Sequence, residues 1–71
     1  MANELGELLR SIRFKRGEVL YNMANKLHMR VSDLLKIERG ALQPGLDFVS
    51  IVCEQYALTD AELNALRRLC N

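Results

Sequence analysis

Apolar residues recur every three or four positions along most of the chain, a spacing that predicts α-helices. Three such faces lie in the first half, made by Leu5, Leu8, Leu9 and Ile12, by Leu20, Met23, Ala24 and Leu27, and by Val31, Leu34 and Ile37. No alternating run of apolar and polar residues is long enough to predict a strand. The pattern therefore predicts an all-α fold.

Residues typical of helix ends punctuate this pattern. Asn3 is the predicted N-cap of the first helix, and Gly17 fits the position just after its end. The segment from His28 to Arg30 interrupts the second helix before the third begins, and Gly40 ends the third. The connections are therefore expected to be short.

Two further helices are predicted in the second half. Pro44-Gly45 is expected to open the fourth, with an apolar side made by Leu46, Val49, Val52, Cys53 and Tyr56. Thr59 and Glu62 have the spacing of a capping box, which predicts the start of a fifth helix. Because 71 residues leave no room for a second domain, residues 1–71 are expected to form one compact five-helix domain, with helices four and five at about 45–70.

Residues 19–39 carry the most informative arrangement. Two short helices are separated by only three or four residues, and the small residue Ala24 lies where they would cross closely. This pattern is typical of a helix-turn-helix, whose second helix is presented to the major groove of DNA.

Residues 5–58 resemble the lambda-repressor-like (Cro/C1, or XRE) helix-turn-helix family. The resemblance rests on LLRSIRFKRG in the first helix, MANKL in the second, DLLKIERG in the third and Pro44 before the fourth. The end of the third helix, residues 37–40, is its most family-specific part. The chain departs from the family pattern at three positions: Leu20 replaces a common Gln, His28 a common Gly, and Arg30 a common Ser or Thr cap.

The resemblance implies a compact lambda-repressor-like domain and a set of DNA-contacting positions. Those that point towards the bases are Val31, Ser32, Leu35 and Lys36. A lysine can donate to guanine, a serine can serve several bases, and apolar side chains can touch a thymine methyl. Phosphate contacts are expected from Arg30, Arg39, Gln43 and Arg13. Arg13 is also expected to form the structural ion pair of the family with Glu38.

Charge is distributed unevenly along the chain. The whole sequence has a net charge of +1, but residues 10–39 hold eight basic and three acidic residues, a balance of +5. This basic middle suits a polyanionic partner. It is also compatible with an ordinary solvated helix surface.

Other functional classes find little support in the sequence. The single histidine and the lack of a glycine-rich phosphate loop argue against an enzyme, and no cofactor, metal or small-molecule ligand is implied. Cys53 and Cys70 lie 17 positions apart without a CxxC pair, which argues against a zinc site or a disulfide framework. No signal peptide or membrane span is apparent, so a cytoplasmic protein is expected.

Two functional hypotheses follow. The first is a sequence-specific, DNA-binding transcriptional regulator, a small repressor of phage or mobile-element type that binds double-stranded DNA as a homodimer. Its dimer surface is expected on the last two helices, at Tyr56, Leu63, Leu66 and Leu69. The second is a helix-turn-helix scaffold that binds a protein, as an antitoxin, inhibitor or adaptor, because Val31 and Leu35 are unusually apolar for a base-reading surface.

Overall fold

The computed structural model describes residues 3–70, and within them it contains five helices and no strand. In chain order the helices are α1 (Glu4–Lys15), α2 (Leu20–Lys26), α3 (Val31–Glu38), α4 (Phe48–Gln55) and α5 (Asp60–Cys70). The all-α prediction is therefore confirmed. No helix in this part of the chain has the length and apolar character needed to cross a bilayer.

The helix ends follow local sequence signals closely. The Asn3 side chain accepts a hydrogen bond from the Gly6 amide at 2.7 Å and so caps α1. At the other end of α1, the Glu18 amide donates to the Arg13 carbonyl at 2.9 Å around Gly17, which has a φ of 67°. The same C-terminal arrangement closes α2 around His28 and α3 around Gly40. Each of the first three helices is thus ended by one left-handed residue.

His28 is the only non-glycine residue between 3 and 70 with a positive φ, 56°. A left-handed backbone costs a side chain with a Cβ about 1–2 kcal/mol, and the greater freedom of glycine in the unfolded chain offsets part of any gain. We expect His28→Gly to raise the melting temperature by a few degrees, measured by circular dichroism. Gly17→Ala is the reverse control and should lower it. A lower melting temperature for His28→Gly would show that the left-handed backbone at His28 is not destabilising relative to glycine.

The core lies between α1 and the helices around it. α1 packs against α2, α3 and α5, and α4 packs against α5. The buried apolar side chains are Leu5, Leu9, Ile12, Met23, Ala24, Leu27, Leu34, Ile37, Phe48, Val52, Tyr56 and Leu66. Nearly all come from the helical faces that the sequence spacing indicates.

One very close approach joins α1 to α3. Gly6 is buried in α1, and a Cβ placed on it would overlap the backbone carbonyl oxygen of Glu38. That oxygen belongs to the last turn of α3. Because backbone cannot move aside as a side chain can, the separation of the two helices depends on glycine at this position.

The start of α4 differs from the prediction. α4 begins at Phe48 rather than at Pro44-Gly45, because the Phe48 amide donates to the Gly45 carbonyl at 3.2 Å in a turn that precedes the helix. The inward positions are then Phe48, Val52 and Tyr56, spaced four apart. Cys53 lies about 100° around the helix from Val52 and is exposed, and Leu46 precedes α4 and is fully exposed. Both predictions as apolar-face residues were therefore wrong.

The predicted dimer surface is also corrected in part. Tyr56, directly after α4, and Leu66, on α5, are buried in the core of a single chain, where α5 packs against both α1 and α4. The Tyr56 hydroxyl in addition donates to Glu18 Oε1 at 2.6 Å. Neither side chain is accessible to a second copy, whereas Leu63 and Leu69 are half-buried.

α5 begins with the predicted capping box. The Glu62 amide donates to Thr59 Oγ1 at 3.1 Å, and the Thr59 amide donates to Glu62 Oε1 at 2.9 Å. The Thr59 amide, assisted by Arg16, holds the pKa of Glu62 below its usual range, although burial acts in the opposite direction. Arg16 Nη2 lies 3.3 Å from Glu62 Oε1 and donates to the Ala57 carbonyl at 2.9 Å. The end of α1 is therefore tied to the start of α5.

Candidate nucleic-acid interface

The side of α3 that faces away from the core is the candidate site. Leu34, Ile37 and Glu38 face inwards and are buried. The four positions that the family resemblance assigns to bases lie together on the opposite side, since they are spaced one, four and five residues apart. Val31 is 37% exposed, Ser32 and Lys36 are exposed, and Leu35 is half-buried.

Polar residues expected to contact phosphate flank this surface. Arg30 lies directly before α3, Arg39 directly after it, and Gln43 in the loop that leads towards α4. All three side chains are exposed. The structure thus places the predicted base and phosphate positions on one helix and its two ends, apart from Arg13.

Arg13 has a different environment. Its guanidinium donates to both carboxylate oxygens of Glu38, with a distance of 3.2 Å for Nη2 to Oε1, and Nη1 also donates to the Met23 sulfur at 3.4 Å. Both charged side chains are buried, and Arg10 Nη1 lies 3.6 Å from Glu38 Oε1. Arg13 is therefore unavailable for the predicted phosphate contact. Instead it joins α1, α2 and α3 beneath the outward side of α3.

Comparisons with protein-family models, with curated proteins and with solved structures found no match for this chain. The chemistry of the α3 surface must therefore be inferred from its own residues.

Ion pairs divide the basic residues of segment 10–39 into two groups. Five of the eight pair with a carboxylate: Arg10 and Arg13 with Glu38, Lys15 and Arg16 with Glu62, and Lys26 with Glu18. The remaining three are Arg30, Lys36 and Arg39, which form no ion pair with any residue between 3 and 70. Within segment 10–39, the cations without an ion-pair partner among the described residues thus all belong to α3 or lie at its ends.

Glu18 connects several of the paired groups. It accepts hydrogen bonds from Lys26 Nζ and from the Tyr56 hydroxyl. Lys26 and Tyr56 together hold the pKa of Glu18 below its usual range, whereas burial and the neighbouring Glu18 raise the pKa of Tyr56. Lys26 also lies 4.9 Å from the centre of the Tyr56 ring. The positive charge of Lys26 is therefore largely compensated by Glu18 and the Tyr56 ring within the protein.

Sequence reasoning missed an exposed apolar patch at the junction of α1 and α2. Phe14 is 86% exposed, and Val19 and Tyr21 are also largely exposed. Phe14 and Val19 line an open cleft of about 620 Å³ together with Leu20 and Arg10. These residues fall outside the regular apolar spacing of α1 and α2, which was the available signal that they do not belong to the core.

Proposed function

We propose that the chain is a DNA-binding regulator of the lambda-repressor-like kind, in which α2 and α3 form a helix-turn-helix. The observation that carries this proposal is the position of Arg30, Lys36 and Arg39, which lack ion-pair partners within residues 3–70 and lie on or beside one exposed helical surface. Positive charge that remains unpaired on one side of a small protein is the expected footprint of a polyanion.

The side chains of this surface suit two kinds of contact, one with the bases of DNA and one with its phosphates. α3 is eight residues long, about 12 Å at 1.5 Å per residue, and the major groove is about 12 Å wide. Lys36 can donate to guanine O6 or N7, and Val31 can contact a thymine methyl. Arg30 and Arg39 would bind phosphates on either side, which adds affinity without reading sequence.

A homodimer belongs to the same proposal. One module of this size covers roughly 600–1,000 Å², which gives limited specificity, while two modules can read a palindrome with half-sites about 10 bp apart. A small repressor of phage or mobile-element type would act in this way.

Protein binding is the second candidate function, as an antitoxin, inhibitor or adaptor. It is favoured by the exposed apolar side chains of Val31 on α3 and of Phe14, Val19 and Tyr21 near the α1–α2 junction. Such residues gain little from a phosphate backbone, but they bury well against another protein.

Fluorescence anisotropy with a generic DNA duplex across a salt series tests both candidates. We expect binding that weakens log-linearly with salt, with a slope near −0.9 for each phosphate neutralised. Arg39→Ala should weaken binding and lower the slope by about 1, Lys36→Ala should weaken it, and Leu35→Lys should preserve or strengthen it because it adds a cation to the same surface.

Arg68→Ala provides the control, since it removes one exposed positive charge from α5, where Arg68 pairs with Glu4. It should change affinity much less than Arg39→Ala. Absence of binding at low salt, or equal losses for Arg39→Ala and Arg68→Ala, would reject α3 as a DNA surface. Partner proteins that bind the wild type but not Leu35→Lys would then support the second candidate.

A further inference from the structure

The loop before α4 carries the most exposed large apolar side chain between residues 3 and 70. Leu46 retains 103% of its reference accessible surface, so it gains nothing from burial within its own chain. Its neighbours Phe48 and Val49 are buried and half-buried, respectively. An isolated exposed leucine is common on protein surfaces, and a role for Leu46 therefore depends on what lies beside it.

A recess lies at Leu46, between α5 and the loop that leads into α4. Its volume is about 290 Å³, and Leu46 itself forms part of its wall, together with Pro44, Gly45, Val49, Arg67 and Cys70. Burial raises the pKa of the Cys70 thiol, so Cys70 adds no charge to the wall at neutral pH. Since a cavity of about 150 Å³ can hold a benzene molecule, the recess has room for a leucine side chain.

One charged residue lies next to the exposed Leu46, and another lines the recess. Asp47 follows Leu46 and is exposed, and Arg67 lines the recess and is exposed. Neither forms an ion pair with another residue in the described range 3–70. A negative charge thus lies beside Leu46, and a positive charge lies in the wall of the recess.

We propose that a second copy of this chain binds here, with Leu46 of each copy inserted into the recess of the other. A two-fold axis between a projection and an adjacent recess makes the same contact twice and closes the assembly at two chains. The same axis brings Asp47 towards Arg67 of the partner subunit, which explains the complementary charges. This inference rests on the proposed function, for which it names the dimer surface in place of Tyr56 and Leu66.

Sedimentation velocity without DNA tests the surface. We expect wild-type protein to show a concentration-dependent monomer–dimer equilibrium, and Leu46→Asp to raise the dimer dissociation constant at least tenfold. Val19→Asp is the control, because it places the same charge at an exposed apolar position directly before α2, outside the recess, and it should leave the equilibrium unchanged. Asp47→Arg and Arg67→Asp should each weaken the dimer, and the double variant should restore it.

A directed crosslink identifies the neighbouring residues. Two versions of the chain, both carrying Cys53→Ser, are mixed: one size-tagged with Leu46→Cys and Cys70→Ser, the other with native Leu46 and Cys70. Mild oxidation should then join the two versions to each other, because position 46 of one copy meets Cys70 of the partner subunit. Replacing Leu46→Cys by Val19→Cys should abolish this product.

The outcomes separate this inference from the DNA proposal. A chain that stays monomeric at all concentrations, or that dimerises equally well with Leu46→Asp, overturns the dimer surface. Binding of generic DNA by that monomer would leave the proposed function standing. A dimer that depends on Leu46 but fails to bind DNA would support the surface and reject the function.

Discussion

Gly6→Ala is expected to destabilise the protein by about 2–3 kcal/mol, although alanine is the better helix former. In an open helical position the same change would gain about 1 kcal/mol. Here the added methyl group would overlap the Glu38 carbonyl oxygen, so α1 and α3 must separate. Overpacking in a tight core costs typically 1–3 kcal/mol, and the obstacle in this case is backbone rather than a flexible side chain.

Urea unfolding followed by circular dichroism measures this loss. Gly45→Ala is the matched control, because a Cβ at Gly45 meets no atom within 4 Å and its φ is not positive. It should leave stability nearly unchanged. Equal stabilities for Gly6→Ala and Gly45→Ala would show that α1 and α3 do not approach as closely as the structure indicates.

Glu38→Ala is expected to lower the free energy of unfolding by about 3 kcal/mol, because it leaves the buried Arg13 guanidinium without its carboxylate. Removing one partner of a buried ion pair typically costs 3–5 kcal/mol. In a domain of this size, each 1 kcal/mol corresponds to roughly 4–8 °C in melting temperature. Thermal unfolding should therefore show a fall of more than 10 °C, or a chain that is already unfolded at room temperature.

A double replacement separates the ion pair from the space it fills. Arg13→Met with Glu38→Leu removes both charges and keeps apolar bulk, and buried pairs replaced in this way often lose little stability. We expect the double variant to be clearly more stable than Glu38→Ala. An unchanged melting temperature for Glu38→Ala would show that water can hydrate the Arg13 guanidinium in the variant, which is contrary to the burial of this side chain.

The features that the sequence predicted correctly depend on neighbours within a few positions. The Asn3 cap, the turn at Gly17 and the Thr59–Glu62 capping box are all interactions between residues three to five apart. Their geometry is therefore encoded locally. The start of α4 was mispredicted because Pro44 and Gly45 favour a turn as readily as a helix start, and the Phe48–Gly45 hydrogen bond selects the turn.

Features that depend on distant contacts were less accessible. Nothing around Gly6 indicates that another helix end touches it, and the apolar face of α5 alone does not reveal that Leu66 is covered by its own chain. The basic middle was visible as a charge balance, but only the fold shows that Glu62 neutralises Arg16 from 46 positions away. The sequence could not divide these cations into paired and available ones.

The contact between α1 and α5 also governs when the protein can become ordered during its synthesis. Translation adds about 5–20 residues per second, so residue 60 follows residue 15 by roughly 2–9 s. A helix forms in about a microsecond, and α1 to α3 can therefore associate long before α5 exists. Leu66, which completes the core, and Glu62, which pairs with Arg16, are synthesised last. The ribosome, rather than the folding barrier, sets how long the apolar side of α1 stays open to chaperones and proteases.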